Sequence, residues 1–96
     1  MRKIGILGST GSIGVQALEV VNHLKDELKI VYLTANRNVS LLAEQVLQVK
    51  PDYICIGVES LLPELKQQLE HEPVKIFAGR TWARRWLFMQ RFIKNI

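Results

Sequence analysis

Residues 8–14 read GSTGSIG, which sets Gly8, Gly11 and Gly14 three residues apart with Ser9, Thr10 and Ser12 between them. Glycine allows backbone conformations and close approaches that a Cβ forbids, and the hydroxyls can donate hydrogen bonds. If a strand ends here and a helix begins, the free N–H groups and positive dipole end of that helix converge on one spot, which suits a phosphate. Gly8 would permit the tight turn, Gly11 would let the backbone approach a pyrophosphate, and Gly14 would let the helix pack closely on the strand. Thr10 and Ser12 would add hydroxyl donors to phosphate oxygens. The spacing G-x-x-G-x-x-G differs from the commoner G-x-G-x-x-G, and no Gly-Lys-Ser/Thr follows, which excludes a Walker A loop. A glycine turn serving packing alone is the plain alternative.

A second group is Ala35-Asn36-Arg37-Asn38. A dinucleotide fold that prefers NAD puts Asp or Glu at the end of its second strand to hold the ribose 2′-hydroxyl. No acid stands here, and Arg37 can pair with a 2′-phosphate through charge-assisted hydrogen bonds. NADPH is therefore expected over NADH. His23 and His71 have no Ser, Cys or acid nearby in a catalytic or metal-binding pattern, so structural roles are expected, with His71 closing a helix. Asp52 and Glu59 read as turn or cap residues. Cys55 is the single cysteine, without a disulfide partner, and reads as a small buried hydrophobe.

The elements that must position these residues follow from periodicity. Lys3–Leu7 is short and apolar, a buried first strand. Ile13, Ala17, Val20, Val21 and Leu24 then recur at helical spacing, with Ser12 as the expected cap. Lys29–Ala35 is β-branched and aromatic, a second strand. Ser40–Val49 is helical, Pro51-Asp52 breaks it, and Tyr53–Ile56 forms a third strand. Ser60–His71 is a third helix, with Pro63 in its first turn. Val74–Ala78 is a fourth strand, closed by Gly79. This alternation predicts an α/β fold, a partial Rossmann-like doubly wound parallel sheet of about four strands, with right-handed crossovers and strand order 3-2-1-4.

Ninety-six residues allow one small domain, and no 18-residue apolar stretch or signal-peptide core is present. A cytoplasmic chain is expected, with neither membrane nor nucleic acid as partner. The net charge of +4 divides unevenly. Residues 1–79 hold all nine acids against eight Lys and Arg, whereas 80–96 hold five basic residues and no acid. Residues 80–96 also carry Trp82, Trp86, Phe88 and Phe92. The high isoelectric point therefore reports the tail and gives no ground for a nucleic-acid reading.

The stretches ILGSTGSIG, ALEVV, LTANRNV and LLAEQVLQVKPDYICI together resemble 1-deoxy-D-xylulose 5-phosphate reductoisomerases over residues 1–79. The resemblance implies an oxidoreductase of the non-mevalonate route to isoprenoids. It rearranges the carbon skeleton of its sugar-phosphate substrate and reduces the aldehyde with NADPH, giving 2-C-methyl-D-erythritol 4-phosphate. A Mg or Mn ion and a homodimer are implied as well. By the same resemblance Thr10, Gly11, Ser12 and Ile13 line the NADPH pyrophosphate, and Asn36, Arg37 and Asn38 surround the adenosine ribose and its 2′-phosphate. The family's metal ligands, substrate site and lid lie beyond residue 96, so no residue is assigned a catalytic or metal-binding role. Residues 1–79 are expected to be the first half of a dinucleotide-binding domain, inactive alone.

Residues 80–96 (RTWARRWLFMQRFIKNI) depart from the family's pattern and are expected not to continue the alternation. One permitted back-translation, read two bases later, gives an acidic, alanine-rich helix, which points to a shifted reading frame near Arg80. The alternative is a non-catalytic nucleotide-binding or interaction fragment. In that reading Trp82, Trp86, Met89 and Ile93 form one stripe of a basic amphipathic helix that binds a membrane or a partner.

Overall fold

The computed structural model describes residues 2–24, 26–79 and 94–95. The expected tail helix and the frame boundary near Arg80 fall outside the described residues. The chain runs β1 (Arg2–Ile6), α1 (Ser12–His23), β2 (Leu28–Ala35), α2 (Val39–Val49), β3 (Tyr53–Ile56), a 3₁₀ turn (Glu59–Leu61), α3 (Leu62–Gln68), β4 (Lys75–Ala78) and β5 (Lys94–Asn95).

All strand pairs are parallel, and the spatial order is β4-β3-β2-β1-β5. The expected order 3-2-1-4 is corrected in one respect. β4 joins the outer edge of β3, because its crossover repeats the direction of the two before it. The place beside β1 goes to Lys94–Asn95, a short parallel strand where none was expected. The chain thus steps outward from β1 and later returns to β1's other side. That reversal is a topological switch point, and the carboxyl end of β1 lies at it.

One apolar cluster joins all three helices to one sheet face. It includes Leu18 and Val21 of α1, Leu42 and Val46 of α2, and Leu65 of α3, set against Ile4, Ile6, Ile30, Leu33, Ile54 and Ile56. α2 ends at Val49 as expected, whereas α1 and α3 differ from expectation. In α1 the buried residues are Gly14, Leu18 and Val21, whereas Ile13, Val20 and Leu24 of the expected stripe are exposed. Hydrophobic spacing alone does not fix which of two adjacent apolar stripes meets the sheet; the close seat of Gly14 on the preceding loop does. The third helix opens as a 3₁₀ turn and stops at Gln68, with Pro63 in its first turn. His71 therefore lies beyond the helix and stands 3.3 Å from Glu70. α2 closes on Lys50, which takes a left-handed conformation (φ 50°) just before Pro51.

β2 is irregular. Ile4 pairs with Ile30 but Gly5 pairs with Tyr32, so Val31 is an extra residue in β2. This places Ile30 and Leu33, three apart, in the same helix-side core. Val31 and Tyr32 form a second small cluster with Tyr53. A Cβ at Gly5 would fall within the Tyr32 ring, so the ring occupies the space that glycine leaves.

Cys55 is buried on β3, as its sequence setting predicts, and burial pushes its thiol up to about 12 from an ordinary 9.0. The folded chain therefore holds this proton more tightly than the unfolded chain. Stability that depends on the protonated thiol is complete below pH 9.0 and is lost as the pH rises towards about 12. Urea midpoints should decline across that window, and Cys55→Ala should flatten part of the decline. Burial also raises the Tyr32 hydroxyl, which adds to the same decline.

Candidate functional site

The carboxyl ends of β1 and β2 lie side by side, so the loops that leave them share one edge of the sheet. From β1 the chain enters a turn in which Gly8 has φ +63°, a conformation that favours glycine. Gly11 donates its N–H to the Gly8 carbonyl at 3.0 Å. α1 then begins at Ser12, with Gly11 as its N-cap and no side-chain cap bond. This corrects the expectation that Ser12 caps the helix. Gly11 is extended and has no side chain to offer, so Ser12 becomes the first helical residue. The first intrahelical bond runs from Val15 N–H to Gly11 carbonyl. The N–H groups of Ser12, Ile13 and Gly14 precede it and keep the electropositive character of a helix start.

The three glycines have separate physical reasons. A Cβ at Gly14 would collide with the Gly8 carbonyl oxygen and Ser9 Cα, both backbone atoms. A Cβ at Gly11 would meet only the Gly8 oxygen, at 3.4 Å, an ordinary contact. Gly11 is exposed, and packing places no demand for glycine there. On the open side of the loop Ile6, Leu7, Gly8, Gly11, Ser12, Ile13, Gly14 and Ala17 bound a cleft of about 500 Å³. Ile13 is 82% exposed at its edge, Ser12 is exposed and Thr10 is half-buried.

Four hydrogen bonds hold the loop from behind. Gly8 donates its N–H to Thr34 Oγ1 at 2.9 Å, and Ser9 donates its N–H to the Thr34 carbonyl at 2.8 Å. Ser9 Oγ donates to Gln45 Oε1 at 2.7 Å, and Gln45 Nε2 donates to the Ser9 carbonyl at 2.8 Å. Ser9 is fully buried and Gln45 is 3% exposed. Sequence reasoning missed Thr34 and Gln45. The one available signal was Gln45 itself, a polar residue beside Leu42 and Val46 on the buried side of α2.

The second loop holds Asn36, Arg37 and Asn38, all exposed. Asn38 caps α2: its Oδ1 accepts the Leu41 N–H at 3.2 Å. Its oxygen is therefore engaged, and its amide N–H groups remain as donors. Asn36 accepts the Val58 N–H on its carbonyl at 3.1 Å and lies against Gly57, where a Cβ would press on it. No such contact ties Arg37 to the β3 loop. The structure thus brings all seven predicted residues to one sheet edge, in two adjacent loops and the first turn of α1. Asp52 and Glu59 sit elsewhere: Asp52 stands 3.5 Å from Lys29 Nζ, and the Glu59 side chain lies against Gly79.

The cradle fits a dinucleotide. It offers an uncapped helix start, a glycine with open space before it, a cleft at the switch point, and an arginine in place of an acid on the neighbouring loop. It does not fit a divalent metal, because no three His, Cys, Asp or Glu side chains converge among the described residues. No helix among them is long and apolar enough to cross a membrane.

Fold and cradle together define an α/β unit of Rossmann-like type. The family model for 1-deoxy-D-xylulose 5-phosphate reductoisomerase matches residues 4–90, and the chain belongs to that family. The reductoisomerase of Synechococcus sp. strain CC9902 is 50% identical over 70 residues, covering 73% of this chain and 17% of the relative. That of Prochlorococcus marinus strain MIT 9515 is 46% identical over 84 residues, covering 83% and 20%. The Zymomonas mobilis enzyme, solved in complex with NADPH, superposes with a TM-score of 0.79 at 36% identity, covering 81% of this chain and 21% of that one. A reductoisomerase complex with NADPH, fosmidomycin and magnesium gives 0.80 at 25% identity, covering 85% and 20%. The chain spans about a fifth of the length of these relatives.

The glycine geometry separates two roles by stability. Gly14→Ala must move backbone and should cost about 1–3 kcal/mol. Gly11→Ala should stay within about 0.5 kcal/mol of the parent. Urea denaturation of the two variants measures the difference.

Proposed function

We propose that this chain supplies NADPH-binding elements of a 1-deoxy-D-xylulose 5-phosphate reductoisomerase. The observation that carries the reading is the pairing, at one sheet edge, of an uncapped helix start beside an open glycine cleft with Arg37 on the adjacent loop. The N–H groups at the start of α1, with the hydroxyls of Thr10 and Ser12, bind the pyrophosphate. Gly11 leaves room for its close approach, and Ile13 shields one side of it from water. Arg37 pairs with the 2′-phosphate, flanked by Asn36 and by the Asn38 amide donors. Bound NADPH would supply the hydride for reduction of the rearranged sugar phosphate.

The chemistry that turns the sugar phosphate into 2-C-methyl-D-erythritol 4-phosphate needs metal ligands and a substrate site. We assign neither to this chain, so its own contribution is binding and orientation of the cofactor. In the complete enzyme these elements would serve a cytoplasmic homodimer that uses Mg or Mn.

Calorimetric titration of the 96-residue chain with NADPH and NADH tests the reading. NADPH should bind more tightly. Arg37→Ala should lose about tenfold for NADPH and little for NADH, as expected for a charge-assisted contact to the 2′-phosphate. Gly11→Ala should weaken both cofactors alike, because it obstructs the pyrophosphate they share. Equal affinities in the parent chain, or an unchanged preference in Arg37→Ala, would sink the NADPH assignment. Supplied with sugar phosphate, NADPH and magnesium, the chain should show no sustained NADPH oxidation.

A further inference from the structure

Ser9 and Gln45 are the buried polar residues among those described, and two hydrogen bonds join them in opposite directions, hydroxyl to amide oxygen and amide N–H to carbonyl. Neither could keep both bonds if the loop and α2 moved apart, and a buried polar group left unpaired is costly. Gln45 lies on α2 seven residues beyond Asn38, the cap that follows Arg37 directly. Ser9 lies between Gly8 and the start of α1. The pair therefore joins the helix that carries the Arg37 loop to the backbone of the glycine loop. Thr34 adds two further ties to the same loop, two residues before Asn36.

We propose that Gln45 is a positioning residue that fixes the separation of the glycine loop from the Arg37 loop. This inference rests on the dinucleotide reading of the site. A ligand that touches both loops gains from a preset separation, since its second contact is made at high effective concentration. A ligand that touches one loop gains nothing from it. Gln45 acts through Ser9 and touches no cofactor itself.

The test compares a two-ended ligand with a one-ended one. Gln45→Met keeps the length of the side chain and removes both hydrogen bonds. Ser9→Ala removes the hydroxyl bond alone and leaves the Gln45 amide on the Ser9 carbonyl. Calorimetry on the 96-residue chain should show Gln45→Met losing about tenfold for NADPH. Adenosine 2′-monophosphate, which lacks the pyrophosphate and so reaches the Arg37 loop only, should change by less than about twofold. Ser9→Ala should show the same split with a smaller NADPH loss. Equal losses for the two ligands, or no loss, would overturn the proposal.

Amide hydrogen exchange without ligand gives a second readout. In Gln45→Met the amides of Ser9 and Gly11 should exchange faster while those of β3 stay protected. Unchanged loop exchange overturns the positioning role. If Gln45→Met loses protection throughout the sheet, Ser9→Ala decides by the same two measurements. A parent chain that binds neither ligand overturns the dinucleotide reading instead, and the exchange result still decides whether Gln45 holds the loop.

Discussion

The seat of Gly14 on the Gly8 carbonyl and Ser9 backbone is the contact on which the rest of the site depends. It brings the first turn of α1 against the end of β1 more closely than any side chain would allow. That approach fixes the phase of α1, so Leu18 and Val21 face the sheet while Ile13 stays out at the cleft. It also leaves α1 to start on a glycine that cannot cap it. Local stability is given up there, since a capping side chain is worth about 1 kcal/mol. The same omission leaves backbone donors pointing at the cleft, where an anion can take the place of the cap.

Such a loop must be stiffened from elsewhere, because glycine-rich backbone has many alternatives to its folded conformation. Here the stiffening is polar and comes from neighbours distant in sequence. Thr34 uses both its hydroxyl and its carbonyl, and Gln45 uses both ends of its amide. No buried side-chain polar atom among the described residues lacks a partner. The apolar core holds α1, α2 and the strands together but is indifferent to small slides. Directional bonds at Ser9 remove that freedom at the one place where separation matters.

Most of the fold was legible because short apolar strands alternated with helical periods. Tyr53–Ile56 was placed to the residue, and β2 and α2 each began one residue earlier than the spacing suggested. The glycine roles at Gly8 and Gly14 were legible as well, since each reflects the missing Cβ. Strand order was not, because either edge of a parallel sheet accepts a right-handed crossover and nothing in Val74–Ala78 marks which. The phase of α1 was hidden by adjacent apolar residues on two stripes. The roles of Thr34 and Gln45 were hidden for another reason: beyond the apolar setting of Gln45, nothing local marks bonds whose partners lie 26 and 36 residues away. The dual use of Asn38, as cap and as candidate donor, shows that a site residue can also be spent on the helix behind it.

The extra residue at Val31 and the bare backbone at Gly5 bear on how the sheet assembles. Four of the five residues of β1 carry a side chain, and only Gly5 offers a gap wide enough for an aromatic ring. Sliding β2 by one position in either direction would press Tyr32 onto Ile4 or Ile6. The ring and the gap therefore act as a key that admits a single alignment of β1 with β2. Because Thr34 follows two residues after that key, the alignment that seats the ring also delivers the hydroxyl to Gly8. A misaligned sheet would lack a formed loop, so the formed loop doubles as a check on strand pairing.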